Sequence, residues 1–400
     1  MQDTSVVIKA KAKQYFQKIQ SIRHHLHQHP ELSFQEVETG KYIASILDEL
    51  GVEYTDGWCE NGIVAIIKGE KPSSKVIMLR ADIDALPILE KNSQPYASQN
   101  EGVMHACGHD VHTSCLLGAI HILNDIKSEF GGTIKCIFQP GEEQLPGGAS
   151  IMIKEGVLEN PKPKSVIGQH VHPPLEVGKI GYRSGMYMAS ADEVQMVVKG
   201  KGGHAALPHN CIDTILMSSR ILIALQDVVA RNMNPNIPAV LSFGKINSVG
   251  GATNIIPDEV KIEGTFRTMD EEWRNKAHKL IKRIAQKTAG SMGGSCEVDI
   301  SVGYPCLVNE PLLTERVKSA MIDYMGESNV VELPIRMTAE DFSYYSQEAD
   351  SCFYRLGTGN KSKGITSPVH TPTFEIDEKA LEIGMGLMAF LAVEELKFLF

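Results

Sequence analysis

The chain has 400 residues, so we expect two domains rather than a single hydrophobic core. Its formal net charge is −10 at pH 7 and it contains no long basic run, which argues against nucleic acid as a partner. The N-terminal residues lack the apolar core of a signal peptide, and no apolar run is long enough to span a bilayer.

The eight cysteines are scattered singly, without any Cys-x-x-Cys pair. This usage is typical of a reducing compartment rather than of a disulfide framework. We therefore expect a cytoplasmic protein.

The first predicted elements are helices. The helix predicted over residues 9–29 ends before a proline and contains four closely spaced histidines, which are His24, His25, His27 and His29. We interpret these histidines as structural, because no carboxylate or strand end accompanies them. Ser33 and Glu36 have the spacing of a capping box, which predicts a second helix from there through Leu50.

Short apolar runs then predict strands of a buried sheet, over residues 63–67, 76–79, 133–138 and 165–168. Three of these strands end in residues that can bind metals, which are Asp82 with Asp84, Glu142 with Glu143, and His170. In open α/β sheets, ligands bind at the carboxyl edge of the strands. The sequence therefore predicts a site at this edge.

Side chains that can bind metals are most concentrated between Met104 and His112, a stretch that contains a thiol, three imidazoles and a carboxylate. Cys107 and His109 are two residues apart, so in an extended backbone their side chains leave on the same side. A thiolate and an imidazole that converge suit a borderline-soft divalent ion. The alternative for this stretch alone is a loop that happens to be rich in histidine.

The central part of the chain has the order β-α-β-β-α-β, which is the ferredoxin-like signature, over residues 193–199, 211–231, 240–247, 259–268, 271–290 and 296–302. We therefore predict a catalytic α/β domain, an open mixed sheet with helices on both faces, interrupted by an inserted ferredoxin-like α+β domain. The predicted boundaries are 1–184 and 299–400 for the catalytic domain and 185–298 for the insertion, with a role in covering the site or in dimerisation.

Four motifs together resemble a known family. They are His105-Ala-Cys-Gly-His-Asp, Gln139-Pro-Gly-Glu-Glu, Gly203-His-Ala-Ala and Val369-His370-Thr-Pro. In this order they resemble the co-catalytic metallopeptidases typified by aminoacylase and glutamate carboxypeptidase. The cysteine-containing motif resembles the amidohydrolase branch, which includes hippurate hydrolase and the plant auxin-conjugate hydrolases.

The resemblance implies two divalent metal ions, about 3.5–4 Å apart as in other two-metal hydrolases. Carried over residue by residue, the implied ligands are Cys107, His109, Glu143, His170 and His370. The Cys107 thiolate would bridge the two ions, which would favour its deprotonated form. Zinc, manganese, cobalt and nickel all accept this set of ligands.

The resemblance also implies roles for residues that do not bind metal. Glu142 would be the general base, taking a proton from water and returning it to the leaving amine. Asp82 could orient an imidazole ligand, and an ordinary turn or capping role is its alternative. His112 and His172 lie close to implied ligands and could compete with them, although His172 precedes two prolines and is better explained as a loop residue.

In the insertion, His204, Asn254 and Arg267 match substrate-binding positions of the family. Arg267 could hold a free carboxylate through a bidentate pair, with a surface salt bridge as the alternative. The family further implies a homodimer, or a higher homo-oligomer, in which His204 reaches the partner's active site and stabilises an oxyanion. A solvent-exposed histidine without a catalytic role is the alternative.

These observations predict a metal-dependent amidohydrolase that cleaves N-acyl-L-amino acids into a carboxylic acid and a free amino acid. The alternatives are a metallo-carboxypeptidase or dipeptidase acting on short peptides, a catalytically idle ligand-binding relative, and a thiol sensor that uses Cys107. A serine hydrolase is disfavoured because the chain lacks a Gly-x-Ser-x-Gly motif. The acyl group, the amino acid and the metal are left open.

Overall fold

The computed structural model describes residues 4–250 and 252–398. Its helices are α1 Thr4–Gln28, α2 Val37–Leu50, α3 His109–Asp125, α4 Gly148–Lys154, α5 Thr214–Ala230, α6 Glu271–Ser291, α7 Pro311–Met325, α8 Ser343–Glu348 and α9 Lys379–Phe398. Its strands are β1 Glu53–Trp58, β2 Gly62–Lys68, β3 Lys71–Asp82, β4 Gly131–Gln139, β5 Ser165–Glu176, β6 Ile180–Tyr182, β7 Gly185–Met188, β8 Asp192–Lys199, β9 Gly203–His204, β10 Ala239–Ser248, β11 Ile255–Ile256, β12 Glu259–Thr268, β13 Ser295–Val302, β14 Leu307–Asn309, β15 Val330–Glu332 and β16 Asp350–Gly359.

The chain forms two compact units. Of the described residues, the first unit contains 4–185, 308–334 and 341–398, and the second contains 186–250, 252–307 and 335–340. The second unit extends past the predicted boundary at 298, because β13 pairs with β8 along its whole length, to the pair of Val302 with Asp192. The suggested role of this unit, covering the site or dimerisation, stays a prediction.

The first unit is built on an eight-stranded sheet with the order β1-β2-β4-β3-β5-β16-β6-β15. β3 runs parallel to both β4 and β5, and β5 runs parallel to β16, whereas β2 is antiparallel to β4. Successive residues of a strand point to opposite faces, and in β3 every residue from Val76 to Asp82 is buried. Both faces of the central sheet are therefore covered, which confirms the predicted α/β class with a mixed sheet.

The second unit has a four-stranded antiparallel sheet with the order β10-β12-β8-β13. Helices α5 and α6 pack together and contact this sheet. The buried residues of β8 alternate along the strand, with Val194, Met196 and Val198 in the core, as expected for a sheet with one covered face. This arrangement is the predicted ferredoxin-like fold.

The predicted capping box is wrong. Helix α2 begins at Val37, and the Glu36 side chain makes no capping hydrogen bond. The Ser33 hydroxyl instead donates to Asp84 (2.6 Å), and a carboxylate oxygen of Glu36 accepts from the Gly141 amide (2.8 Å). Both side chains are used for contacts with distant parts of the chain, which the local spacing does not reveal.

The predicted end of β5 before His170 is also wrong. The last pair between β3 and β5 joins Arg80 to Gly168, but β5 continues to Glu176 because it keeps its pairing with β16. His170 therefore lies inside a strand, two residues beyond the last β3 pair. His172, predicted to be in a loop, lies in the same strand.

The histidines of α1 contact neighbouring helices and carboxylates. His27 Nδ1 lies 2.8 Å from an Asp110 carboxylate oxygen, and His24 Nε2 lies 2.6 Å from Glu378. Among the described residues, none of these histidines belongs to a group able to hold a metal. The expected absence of carboxylates near these histidines is therefore wrong, but their contacts support the structural interpretation.

No helix in the described parts of the chain combines the length and the apolar character needed to cross a membrane.

The buried Glu36 makes stability depend on pH. Burial, with the negative charge of Asp84 as a second cause, raises the pKa of Glu36 from 4.5 to about 7. The folded state then binds this proton more tightly than the unfolded state, so stability falls as pH rises from about 4.5 through 7. Glu36→Gln cannot ionise but keeps an oxygen for the Gly141 amide. The difference in free energy of unfolding between Glu36→Gln and wild type should therefore be about 1–3 kcal/mol more favourable to the variant at pH 8 than at pH 5.

Urea unfolding of both proteins at the two pH values measures this difference. The exposed Glu38, two residues further on in the first turn of α2, provides the control Glu38→Gln, which should show no such pH dependence. An equal effect of Glu36→Gln at pH 5 and pH 8 would mean that Glu36 is ionised at both.

Candidate metal centre

Five segments of the first unit meet at the carboxyl edge of the central sheet. Strands β3 and β4 are parallel and end at this side, where the parallel strand β5 continues beyond them. The polar residues that they contribute are Asp82 and Asp84 at the end of β3, Cys107 and His109 at the start of α3, Glu142 and Glu143 after β4, His170 in β5, and His370 after β16. The structure thus brings the predicted ligands together.

Cys107 lies at the centre of this cluster. Its Sγ is 3.4 Å from His170 Nε2 and 3.3 Å from His370 Nε2. Two groups of three, each with ligand atoms within 4.8 Å of one another, share this sulfur: Cys107 with His109 and His170, and Cys107 with Glu143 and His370. One thiol is therefore the common member of two sets of ligands.

Gly108 makes the close approach of Cys107 and His109 sterically feasible. Its φ is 82°, a left-handed backbone conformation that residues other than glycine rarely adopt. A Cβ at this position would also lie only 2.6 Å from the Val171 side chain. His109 follows directly as the first residue of α3, so the turn and the helix start together set its direction.

His109 has one nitrogen held by the protein and one without a partner. Its Nδ1 lies 3.0 Å from an Asp84 carboxylate oxygen, whereas its buried Nε2 has no hydrogen-bond partner in the described chain. Carboxylate oxygens of Asp82, Glu142 and Glu143 lie 3.7, 4.0 and 4.0 Å from this Nε2. A histidine that donates one N–H to a carboxylate and leaves the other nitrogen open is the usual form of a metal ligand.

Excess negative charge dominates the electrostatics of the cluster. Burial opposes a charged imidazole, but the carboxylates of Asp82 and Asp84 outweigh it and raise the pKa of His109 to about 10. Burial and the charges of Glu143 and Glu142 raise the pKa of the Cys107 thiol well above its usual value. Without cations both groups keep their protons; divalent cations would favour their release, so these donors fit a metal site.

The turn after β4 separates two adjacent glutamates. The Glu143 amide donates to Asp84 (2.9 Å) while the Gly141 amide donates to Glu36, so two buried carboxylates fix the main chain. Glu143 Oε1 lies 3.1 Å from His370 Nε2, whereas a Glu142 oxygen accepts from the Asp341 amide (3.4 Å). The two side chains therefore point to different partners.

Asp82 contacts an imidazole, but a different one from the ligands. Its Oδ1 lies 2.6 Å from His112 Nδ1, and Arg80 donates to its other oxygen. Burial alone would raise the pKa of Asp82, but the positive charge of Arg80 and the nearby histidines hold it well below its usual value. The carboxylate that holds His109 is Asp84, which the sequence did not single out for this role.

The substrate-binding candidates all lie in the second unit. His204 is exposed in β9, which pairs with β11, and the next residue's amide donates to the Asn254 carbonyl (2.9 Å). Arg267 lies on a different sheet, in β12, where its guanidinium donates to Thr265 and lines an open cavity of about 480 Å³. Of the three, His204 and Asn254 are close together and Arg267 is on another sheet.

Thiol, imidazole and carboxylate groups that converge at the carboxyl edge of an α/β sheet are typical of a protein with a metal centre. Residues 78–394 match the model of "Peptidase family M20/M25/M40". The chain therefore belongs to this family, which confirms the predicted family and the predicted class of enzyme, a hydrolase of amide bonds.

Two relatives and one solved structure illustrate the family's range. The N-acetyl-L-cysteine deacetylase of Bacillus subtilis is 41% identical over 361 residues, which are 90% of this chain and 84% of that protein. Thermostable carboxypeptidase 1 of Saccharolobus solfataricus is 40% identical over 376 residues, 93% of this chain and 94% of that protein. The structure of the Bacillus subtilis YXEP protein, described as a dinuclear metal binding peptidase from the M20 family, has a TM-score of 0.84 and 35% identity, and covers 97% of this chain and 99% of that one.

Proposed function

We propose that the chain is a metal-dependent amidohydrolase that holds two divalent ions and cleaves N-acyl-L-amino acids into a carboxylic acid and a free amino acid. The observation that carries this proposal is the Cys107 sulfur, shared by two groups of three ligand atoms. The deacetylase among the relatives and the dinuclear YXEP peptidase among the solved structures support it.

The proposed ligands divide between two ions. His109 and His170 would complete one set with Cys107, and Glu143 and His370 the other. Two divalent ions would supply Lewis-acid polarisation of the scissile carbonyl and of the attacking water. Zinc, manganese, cobalt and nickel all remain candidates for these thiolate, imidazole and carboxylate ligands.

Glu142 is the proposed general base. Its side chain is buried at the edge of the cluster, next to the ligand Glu143 but directed to a different partner. A carboxylate in this position would take a proton from the attacking water and deliver it to the leaving amine. Such a positioned group contributes about 10²–10⁴ in rate.

Hydrolysis of short peptides is the second candidate, favoured by the relative named a carboxypeptidase. The two candidates differ in the acyl group, which is simple in one and an aminoacyl residue in the other. A screen of N-acetyl, N-benzoyl and dipeptide substrates, after reconstitution with each metal, separates them. Turnover confined to dipeptides would replace the first proposal by the second.

The proposed compartment is the cytoplasm. All eight cysteines are free, which suits a reducing environment.

Removing a proposed ligand should remove metal. Cys107→Ala should lose both ions, because both sets of ligands contain that sulfur, whereas His170→Ala should retain about one. Both variants should lose activity, and a chelator should abolish wild-type turnover reversibly. Metal stoichiometry by mass spectrometry provides the measurement.

The control for these variants is His25→Gln, since this histidine packs on Tyr42 in α2 away from the proposed ligands. Its metal content should match that of wild type. Full activity in a metal-free wild-type preparation would eliminate the proposed metal dependence.

Removing the proposed base should separate activity from metal binding. Glu142→Ala should keep its fold and both ions but lose kcat by about 10²–10⁴. The exposed Gln144, in the same turn, provides the control Gln144→Ala, which should retain kcat. Steady-state kinetics and metal analysis together check this, and a Glu142→Ala enzyme with the parental kcat would require another base.

We further propose that the second unit forms a homodimer in which His204 acts on the partner's site. Three apolar residues of α5 are exposed, which are Ile215, Leu216 and Ile223, and β10 is an edge strand of its sheet with Val240 and Ile246 exposed. An edge strand with exposed apolar side chains favours pairing with another chain. The Ala206 amide donates to Nδ1 of the exposed His204 (3.1 Å), so its Nε2 could donate to a developing oxyanion.

Mixing two inactive variants tests this arrangement. If His204 acts in trans, a heterodimer of His204→Ala and Glu142→Ala has one complete site, so random exchange should restore about one quarter of the wild-type activity. Subunit exchange is verified separately with two differently labelled chains. Absence of recovery despite complete exchange would mean that His204 serves its own chain or is not catalytic.

A further inference from the structure

His112 is a fully buried histidine beside the candidate metal centre that belongs to neither set of ligands sharing Cys107. It follows His109 by three residues on α3, so both imidazoles extend from one face of the helix. Its ring centroid lies 5.4 Å from that of His109 and 4.5 Å from that of His170. With Asp82 and His109 it forms a further group able to hold a metal, so its position alone allows ligation.

The hydrogen bonds of His112 exclude ligation as its role. The main-chain amide of Val171 donates to His112 Nε2 over 2.8 Å. A nitrogen that accepts an N–H uses its lone pair, so the ring proton is on Nδ1, which donates to Asp82 Oδ1 over 2.6 Å. Both ring nitrogens are therefore occupied by the protein, and neither lone pair is available to a metal.

Two further hydrogen bonds hold Asp82, at one end of the contact that His112 makes with Asp82 and Val171. Arg80 donates to the second oxygen of Asp82, and the Thr113 hydroxyl donates to its main-chain carbonyl (2.9 Å). Asp82 is thereby held at the end of β3, with a carboxylate oxygen 3.7 Å from the open Nε2 of His109. His112 is the remaining contact that sets the orientation of this carboxylate.

The other end of the contact is Val171, in a part of β5 that β3 no longer pairs with. The last pair between β3 and β5 involves Gly168, and beyond it His112 holds the Val171 amide. The carbonyl of Val171 lies 2.7 Å from His170 Nδ1 and accepts from it. This bond leaves His170 Nε2 directed toward Cys107 Sγ, 3.4 Å away.

We propose that His112 is a positioning residue, a neutral imidazole that joins Asp82 to the main chain of Val171 and thereby holds His170 in its ligating orientation. This inference rests on the proposed metal centre, but not on the substrate or on the reaction. It assigns to His112 a contact between the end of β3 and the part of β5 that β3 no longer pairs with.

The protonation of the ring provides a test that needs no variant and no turnover. In the metal-free, ¹⁵N-labelled full chain, NMR should show a through-hydrogen-bond coupling between the Val171 amide nitrogen and His112 Nε2, with the ring proton on Nδ1. Addition of zinc should leave this coupling in place. Loss of the coupling on zinc addition, or a proton on Nε2 in the metal-free chain, would overturn the proposal.

Three variants separate the two ends of the contact. His112→Ala removes both hydrogen bonds and should lower zinc affinity about 10–100-fold, the usual effect of losing a group that orients a ligand. His112→Gln keeps an oxygen that can accept from Val171, and His112→Asn keeps an N–H that can donate to Asp82, so each should recover part of the loss. Competition with a chromophoric chelator measures the affinity without substrate.

His121 provides the matched control. It is buried on the same helix, packs on Tyr15 with ring centroids 4.9 Å apart, and has an Nε2 without a partner in the described chain. His121→Ala should leave zinc affinity unchanged, even if it lowers the melting temperature as much as His112→Ala does. Equal zinc affinity of the two alanine variants would overturn the positioning role, whereas absence of zinc binding by wild type would instead overturn the proposed metal centre.

Discussion

The carboxylate of Asp84 joins three segments that are far apart in the chain, two of which belong to the candidate site. One of its oxygens lies 3.0 Å from His109 Nδ1, and the other accepts from the Ser33 hydroxyl (2.6 Å) and the Glu143 amide (2.9 Å). Burial alone would raise the pKa of Asp84, but its hydrogen bonds with His109 and Ser33 lower it, so the group is ionised. The direction of His109 and the main chain of the turn after β4 both depend on this one charge.

The carboxylates at this edge of the sheet give the site an environment that favours cations. Burying a carboxylate is unfavourable unless hydrogen bonds or opposite charges compensate it. Arg80 compensates Asp82, and His109 Nε2 lies 4.0 Å from carboxylate oxygens of Glu142 and Glu143, beside the Cys107 thiol, whose pKa these charges raise. Divalent cations would favour release of the protons of Cys107 and His109, so the same negative charges would give the site affinity for metal.

The sequence predicted those parts of the candidate site whose residues are close together in the chain. Cys107 and His109 are separated by one glycine, and Glu142 and Glu143 are adjacent, so their convergence on one site could be anticipated. The alternation of apolar runs and helices likewise predicted the mixed sheet and the ferredoxin-like unit, which the structure confirms. Local pattern and strand order were sufficient for these features.

Contacts between distant parts of the chain determine side-chain roles that local sequence patterns do not reveal. Ser33 and Glu36 fit a capping box, but their side chains bond Asp84 and Gly141 instead. Asp82 and Asp84 are the same residue type two positions apart, and the end of β3 at Asp82 leaves Asp84 free to turn toward His109. No periodicity distinguishes these two carboxylates, because the distinction arises only where separate strands end.

The central claim is that both metal ions bind the sulfur of Cys107. A crystal structure of the metal-loaded protein tests this claim most directly. Anomalous maps at the absorption edge of the bound metal should contain two peaks per chain, about 3.5–4 Å apart. If the metal is zinc, both peaks should lie about 2.3 Å from Cys107 Sγ. A single peak, or two peaks of which only one bonds this sulfur, would contradict the account.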